Sequence, residues 1–267
     1  MTEYTLGHSA DELSRLQRQA GLLRGVTEAI WRAAGLAPGM RVLDVGCGAG
    51  DTSLLAADMV GPTGQVIGQD RAAEAIALAR TRAGERPQLS FAVGELGELP
   101  AGAAPFDAIV GRYVLIHQHD VVAALRSLRP LLRPGGLLVF HELELHVQTH
   151  ADPAADLVQQ VRGYIGRAFH LSGTQMHGVT RLPQWFHEAG YGWPEQRLHT
   201  LAAAGADSYA AGYLTQTLRT LAPVLERAGV VRVAELGLDT LEARLRQACA
   251  GGAVLLSQIN GGAWVRV

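Results

Sequence analysis

The stretch Arg41-Val42-Leu43-Asp44-Val45-Gly46-Cys47-Gly48-Ala49-Gly50 decides how this chain folds. Val42, Leu43 and Val45 form the aliphatic run expected of a strand covered on both faces of a parallel sheet. Gly46, Gly48 and Gly50 then let the backbone turn tightly against a ligand before a helix opens near Asp51. A nucleotide belongs on such a turn. In a dinucleotide fingerprint the glycines are spaced G-x-G-x-x-G, and the helix N-terminus faces a pyrophosphate. Here the spacing is G-x-G-x-G, and Asp44 adds a negative charge where pyrophosphate would sit. That carboxylate suits a ligand bearing an ammonium group.

Four further blocks follow in order. Gln65-Val66-Ile67-Gly68-Gln69-Asp70 reads as a second short strand ending in an acid, 26 positions beyond Asp44 (70 minus 44). A carboxylate there can accept both hydroxyls of a ribose. Leu89-Ser90-Phe91-Ala92-Val93 reads as a third strand, followed by Gly94-Glu95-Leu96. Phe106-Asp107-Ala108-Ile109-Val110-Gly111-Arg112-Tyr113-Val114-Leu115-Ile116-His117 reads as a fourth strand and its loop. Leu131-Leu132-Arg133-Pro134-Gly135-Gly136-Leu137-Leu138-Val139-Phe140 reads as a helix end, a turn and a fifth strand.

Taken together, the five blocks resemble the class I S-adenosylmethionine-dependent methyltransferases, of the bacterial small-molecule type. The resemblance implies an α/β, Rossmann-like, doubly wound and mostly parallel seven-stranded sheet with an antiparallel last strand, carrying helical cap insertions. It also implies S-adenosyl-L-methionine as cofactor and S-adenosyl-L-homocysteine as its product. Asp44, Gly46, Cys47, Gly48 and Gly50 would then form the glycine turn, with Cys47 filling a small-residue position. Asp70 and its neighbour Arg71 would meet the ribose, and Gly94, Glu95 and Leu96 the adenine, with Glu95 standing where family members often carry Asp. Arg112 falls beside the methionine portion, where its backbone carbonyl would hold the ammonium and its guanidinium the carboxylate. The alternative for Arg112 is an ion pair with Asp107 or Glu95.

Composition fits an enzyme and excludes several alternatives. At 267 residues the chain can bury a sizeable core. A net charge of -2 and a pI near 6.5 leave no basic footprint for nucleic acid. All 23 basic residues are Arg, so a catalytic lysine or Schiff base is excluded. The two cysteines, Cys47 and Cys249, fit a reducing compartment and provide no metal-ligand pair. The chain opens Met1-Thr2-Glu3-Tyr4 without an apolar signal run, and no apolar stretch is long enough to span a bilayer. The reading is therefore cytoplasmic, with no membrane partner.

One methyltransferase domain is expected over residues 1–267, in successive zones. Residues 1–36 form a helical arm of two helices, with Ser9 and Glu12 in a capping-box pattern. The pattern Tyr4-x-Leu6-Gly7-x-Ser9-x-x-Glu12-x-x-Arg15-Leu16-x-x-Gln19 is similar to an arm that closes over bound cofactor in some bacterial small-molecule methyltransferases, which adds Tyr4 to the cofactor set. The same pattern also fits an amphipathic helix packed on the core. Residues 37–146 alternate strand and helix as the cofactor-binding core. Residues 147–178 and 205–250 read as helical cap or insertions, separated by a helix over 181–189 and a sixth strand over 197–201. Residues 253–267 hold the last strand, expected over 253–259, with Ala263-Trp264-Val265 extending it or following a bulge at Gly261-Gly262.

The chemistry asks for placement and, for a hydroxyl or protonated nitrogen acceptor, a general base. Histidine suits that task near neutral pH, and the chain has ten. His117 follows the fourth strand and His141 the fifth, on the strand-end edge where open parallel sheets bind ligands, so these two are the candidate bases. Their alternative roles are local hydrogen bonding. Glu142 and Glu144 share that edge, His119 with Asp120 reads as a helix cap, and no spacing supports a metal site. The expected partner is a small-molecule methyl acceptor, through oxygen or nitrogen of a secondary metabolite, and the outer helices are available to a homodimer. A non-methylating relative that cyclises its substrate and a non-enzymatic cofactor-binding module are the alternative readings.

Overall fold

The computed structural model describes residues 10–99, 102–146, 156–205, 209–252 and 254–267, with side chains in the first helix from residue 21 onward. In chain order the elements are α1 (Ala10–Ala34), β1 (Arg41–Val45), α2 (Asp51–Val60), β2 (Gln65–Asp70), α3 (Ala73–Ala83), β3 (Leu89–Val93) and β4 (Phe106–Arg112). They continue with α4 (Val121–Leu128), β5 (Leu132–Leu143), α5 (Asp156–Leu171), α6 (Leu182–Glu188) and β6 (Glu195–His199). The last are β7 (Ala202–Ala204), α7 (Tyr209–Arg227), α8 (Leu238–Ala250), β8 (Val254–Leu256) and β9 (Asn260–Arg266). Tyr4 and Ser9 lie outside the described residues.

Two units divide these elements. The first comprises Ala20–Leu143, His177–Leu198 and Asn260–Val267 and carries the main sheet. Among the described residues that sheet has seven strands in the order β3-β2-β1-β4-β5-β9-β6. Strands β3, β2, β1, β4 and β5 are mutually parallel, and β9 runs antiparallel to β5, with Phe140 opposite Ala263. The aliphatic runs behave as their composition demands: Val42, Leu43, Val45, Ile109, Leu138 and Phe140 are fully buried. Leu43, Val45, Ile109, Leu138 and Phe140 share one core with Leu125 and Leu128 of α4 and Trp185 and Phe186 of α6. Each such large apolar side chain contributes about 1.5–3 kcal/mol on leaving water. The order reverses between β1 and β4, which places the ligand crevice beyond their C-terminal ends.

The second unit comprises the described residues of Met1–Gln19, Glu144–Met176 and His199–Ile259. Within it α5 buries Val158, Val161, Ile165 and Phe169 from one helical face, and α7 buries Leu214, Leu218, Leu221 and Leu225. Strands β7 and β8 form a separate two-stranded antiparallel ladder, with Ala203 opposite Leu255.

Several local expectations are corrected. A single helix, α1, occupies the described residues before 36, where two were expected. Asp120, rather than His119, caps α4 by accepting the Ala123 N–H at 2.8 Å. The expected last strand over 253–259 belongs to the small ladder as β8, and β9 takes its place in the main sheet. No bulge interrupts β9, since Asn260, Gly261 and Gly262 pair in step with Leu143, Glu142 and His141. The glycine pair serves close packing instead: a Cβ at Gly262 would strike Ile30 of α1, and one at Gly261 would strike Val179. Finally, β5 runs on to Leu143, so His141 and Glu142 are strand residues rather than residues that follow the strand.

Candidate functional site

The turn after β1 is built from left-handed backbone. Gly46 has φ 63 and Gly48 φ 52, a region that side chains with a Cβ enter only at a cost. A Cβ on Gly46 would also lie 2.6 Å from the Val114 side chain, whereas one on Gly48 meets nothing within 4 Å. Gly46 is thus required by packing against the β4 loop, and Gly48 offers bare backbone to whatever lies over it. Cys47 is buried, and burial, with the charges of Asp44 and Asp70 behind it, holds its thiol well above the usual range. It is a packing residue. From α3, Arg82 donates to the Ala49 carbonyl at 2.6 Å and to Asp51 Oδ1 at 2.5 Å, clamping the end of the turn on the start of α2.

Asp44 has no exposed surface. Its Oδ2 accepts the Ser53 hydroxyl at 2.6 Å, while Oδ1 meets no hydrogen-bond donor among the described residues. Burial pushes the carboxyl up to about 6, opposed by the Ser53 and Thr52 hydroxyls and by the Arg112 charge. The Thr52 hydroxyl is therefore near enough to act on the charge without meeting Oδ1 in hydrogen-bond geometry.

Asp70 ends β2 and ties two backbones together. Oδ2 accepts the Gly48 N–H at 2.9 Å and Oδ1 the Ala72 N–H at 2.9 Å. A carboxylate has about four lone-pair positions, so it keeps acceptor capacity for ligand hydroxyls. Arg71 beside it is exposed. The preceding residue, Gln69, is buried and organises the turn after β3. Its Nε2 donates to the Glu95 carbonyl at 2.8 Å and also to the Glu98 carbonyl, and its Oε1 accepts the Gly97 N–H at 3.3 Å. Its own carbonyl accepts the Cys47 N–H at 2.9 Å. One residue thereby couples the glycine turn to the Gly94-Glu95-Leu96 turn, in which Glu95 is exposed and Leu96 half-buried.

The ends of β4 and β5 supply the remaining candidates. Arg112 stands in register with His141. It makes no ion pair among the described residues; Asp107, its expected alternative partner, pairs with Arg133 at 2.5 Å and accepts the Arg41 N–H at 2.6 Å. Burial lowers the Arg112 pKa, while Tyr113, Asp51 and Asp44 draw it back. Tyr113 takes a left-handed backbone with φ 58, a strained choice for an aromatic residue, and donates its hydroxyl to Asn260 Oδ1. His141 is fully buried; its Nδ1 lies 3.2 Å from the Thr27 hydroxyl and its Nε2 3.1 Å from Asn260 Oδ1. His117 closes a 3-10 turn over Leu115–His117, and burial, with Arg71 adding to it, pushes its imidazole down to about 4. Glu142 holds that turn in place by accepting the N–H groups of Val114 at 3.0 Å and Leu115 at 2.9 Å.

Comparison with known proteins settles the family. The profile of the family described as "Methyltransferase domain" matches residues 36–191, more than half of the chain. The chain belongs to the class I S-adenosylmethionine-dependent methyltransferases. It is 37% identical over 116 residues to a 2-phytyl-1,4-naphtoquinone methyltransferase of Thermosynechococcus vestitus, covering 43% of this chain and 51% of that protein. It is 34% identical over 150 residues to an arsenite methyltransferase of Halobacterium salinarum, covering 55% of this chain and 37% of that protein. The chain thus spans about half or less of the curated relatives it matches. In fold it is similar to the [4+2]-cyclase SpnF, with a TM-score of 0.51 at 18% identity, over 91% of this chain and 80% of that one.

The methyltransferase frame fits the residues present. A buried acid with one unmet oxygen and a guanidinium without an ion pair, beside a turn that leaves open space at Gly48, would suit the ammonium and carboxylate of an amino-acid-bearing nucleoside. Among the described residues no helix is long and apolar enough to cross a membrane. Four contributors escaped the sequence reading: Gln69, Arg82, Thr27 and Asn260. Gln69 alone left a trace, as a polar residue within a strand otherwise written Val66-Ile67-Gly68.

Proposed function

We propose that this chain transfers a methyl group to a small-molecule acceptor, an oxygen or nitrogen of a secondary metabolite, with S-adenosylmethionine as donor. The observation that carries the reading is Asp44, a fully buried carboxylate with one oxygen lacking a donor, under a left-handed glycine turn. It favours a cationic amino-acid group and disfavours a pyrophosphate.

In this reading Asp44 and Arg112 hold the amino-acid half of the ligand, and Gly46, Cys47, Gly48 and Gly50 form the backbone beneath it. Asp70, with Arg71 beside it, receives the ribose hydroxyls, and Gly94, Glu95 and Leu96 border the adenine. When bound, the cofactor supplies a sulfonium methyl that is electrophilic without further activation. The chain's own tasks are then orientation, exclusion of water and removal of the acceptor proton. His117 remains a candidate base on the loop after β4; burial holds its pKa down to about 4, so it is neutral at pH 7 but only a weak base. His141, with both ring nitrogens facing Thr27 and Asn260, supports the site from behind. Two free, buried cysteines suit the cytoplasm.

The relatives' names point to different acceptors, a naphthoquinone and arsenite, so resemblance leaves the acceptor open. The fold is also compatible with a non-methylating step, since a [4+2]-cyclase shares it. Incubation with methyl-labelled S-adenosylmethionine and fractionated metabolite extract separates the two. Methyl transfer moves label into a small molecule and releases S-adenosylhomocysteine in equal amount. Substrate conversion with the label left on the donor would favour cyclisation, and no conversion in any fraction would favour a binding module.

A further inference from the structure

Thr27 lies on α1, far in sequence from every cofactor motif, yet its hydroxyl sits where three polar groups converge. Its Oγ1 is 3.0 Å from the Leu23 carbonyl, 3.2 Å from His141 Nδ1 and 3.3 Å from Arg112 Nη1. Thr27 itself is fully buried. A hydroxyl has one hydrogen to give and two lone pairs to receive with. The guanidinium can only donate, so Thr27 accepts from Arg112. On its far side His141 places Nε2 against Asn260 Oδ1, an acceptor, so the ring carries its proton on Nε2 and Nδ1 accepts. The Thr27 hydrogen then points to His141 Nδ1, shared with the Leu23 carbonyl of its own helix.

These bonds form one directed chain, from the Arg112 N–H to the Thr27 oxygen, from the Thr27 O–H to His141 Nδ1, and from the His141 Nε2–H to Asn260. It is the one hydrogen bond of the Arg112 guanidinium among the described residues. An arginine has five N–H donors in a rigid fork, so fixing one edge leaves another edge aimed in a set direction. The acids that act on Arg112, Asp44 and Asp51, attract it without forming an ion pair. Aim therefore comes from Thr27 and not from a carboxylate.

We propose that Thr27 is a positioning residue: its hydroxyl, fixed by His141, orients Arg112 to receive the carboxylate of an amino-acid-bearing nucleoside. This rests on the reading of Arg112 given under the proposed function. Thr27 touches no ligand in this scheme and acts only through Arg112.

The test compares two ligands that differ in the amino-acid half alone. S-adenosylhomocysteine carries the carboxylate, whereas 5′-methylthioadenosine keeps the adenosine and thioether without it. Calorimetry is run on the full chain and on Thr27→Val, Thr27→Ser and Arg112→Met, each checked for a normal thermal transition. Thr27→Val is expected to weaken S-adenosylhomocysteine roughly ten- to 150-fold, the loss of one hydrogen bond to a charged group. It should leave 5′-methylthioadenosine within about twofold, and Thr27→Ser should restore the first affinity. Arg112→Met should show the same selectivity with a larger loss. If Thr27→Val fails to fold, Thr27→Ala gives the same comparison. Equal weakening of both ligands would reduce Thr27 to a structural contact and overturn the proposal. Unchanged affinity in Thr27→Val, with Arg112→Met still selective, would overturn it while sparing the Arg112 reading. Unchanged affinity in Arg112→Met would overturn both.

Discussion

Glu142 Oε1 accepts the backbone N–H of Leu115 at 2.9 Å, so a side chain from inside β5 caps the 3-10 turn that carries His117. The same oxygen accepts the Val114 N–H at 3.0 Å, and Oε2 lies 3.4 Å from that of Ile116. The loop after β4 is thereby tied to a fully buried acid. Burial pushes that acid up to about 8 against the pull of the three donors.

This linkage has a definite sign. The folded pKa stands above the ordinary value of 4.5, so the fold binds the proton more tightly than the unfolded chain does. The resulting stabilisation is complete below about 4.5 and is lost as pH rises through about 8. Glu142→Gln keeps an amide oxygen for Val114 and Leu115 and does not titrate. Denaturant midpoints of wild type should therefore fall relative to Glu142→Gln across that window. A constant difference from acid to alkaline pH would show that Glu142 does not titrate there.

His117 yields a kinetic expectation. Burial and the neighbouring Arg71 charge hold its pKa near 4, so the imidazole is neutral from about pH 6 to 8 and turnover should be level across that range. The acid limb should appear near 4. His117→Ala should lower kcat at saturating cofactor by about 10²-fold, the lower end for a positioned base, because an imidazole with a pKa near 4 is a weak one. A variant with wild-type kcat would mean that the acceptor arrives already nucleophilic.

Gln69 should prove costly to replace. In Gln69→Leu the carbonyls of Glu95 and Glu98 lose their shared donor, for a destabilisation of about 1–3 kcal/mol. Hydrogen exchange at residues 94–98 should accelerate, and both S-adenosylhomocysteine and 5′-methylthioadenosine should bind more weakly, because the turn proposed to border the adenine would serve both. Unaltered exchange in that segment would show that the turn holds itself.

The parallel half of the sheet and its first turn were legible because their signals are local. The glycine turn, Asp44 and Asp70 each sit at the end of a short aliphatic run, and strand period together with turn chemistry locate such positions. The second layer was not legible, because it depends on contacts distant in sequence. Thr27 meets His141 across 114 positions, and His141 meets Asn260 across 119. The extent of β5 was missed for a related reason. His141 and Glu142 look like loop residues by polarity, yet Gly262 and Gly261 opposite them continue the ladder, and the His141 ring finds partners on α1 and β9. The Gly261-Gly262 pair likewise signalled an irregular strand. Its cause is the side chains of Ile30 and Val179, which pack where Cβ atoms would stand.

Asp70 should discriminate a ribose role from a purely structural one. Asp70→Asn retains shape but loses charge and one acceptor oxygen. Binding of S-adenosylhomocysteine should weaken by about 1.5–3 kcal/mol, the range for hydrogen bonds to a charged group. Because the carboxylate also holds the N–H groups of Gly48 and Ala72, the thermal transition should be followed in parallel. An unchanged dissociation constant in a folded variant would place the ribose elsewhere.

The central claim is that Asp44 and the Gly46-Gly48-Gly50 turn select an amino-acid-bearing nucleoside over a dinucleotide. Calorimetric titration of the full chain with S-adenosylhomocysteine, and separately with NAD, tests it most directly. S-adenosylhomocysteine should bind in the micromolar range, roughly -8 kcal/mol, and NAD should neither give heat nor compete. Tight NAD binding together with no heat from S-adenosylhomocysteine would contradict the assignment.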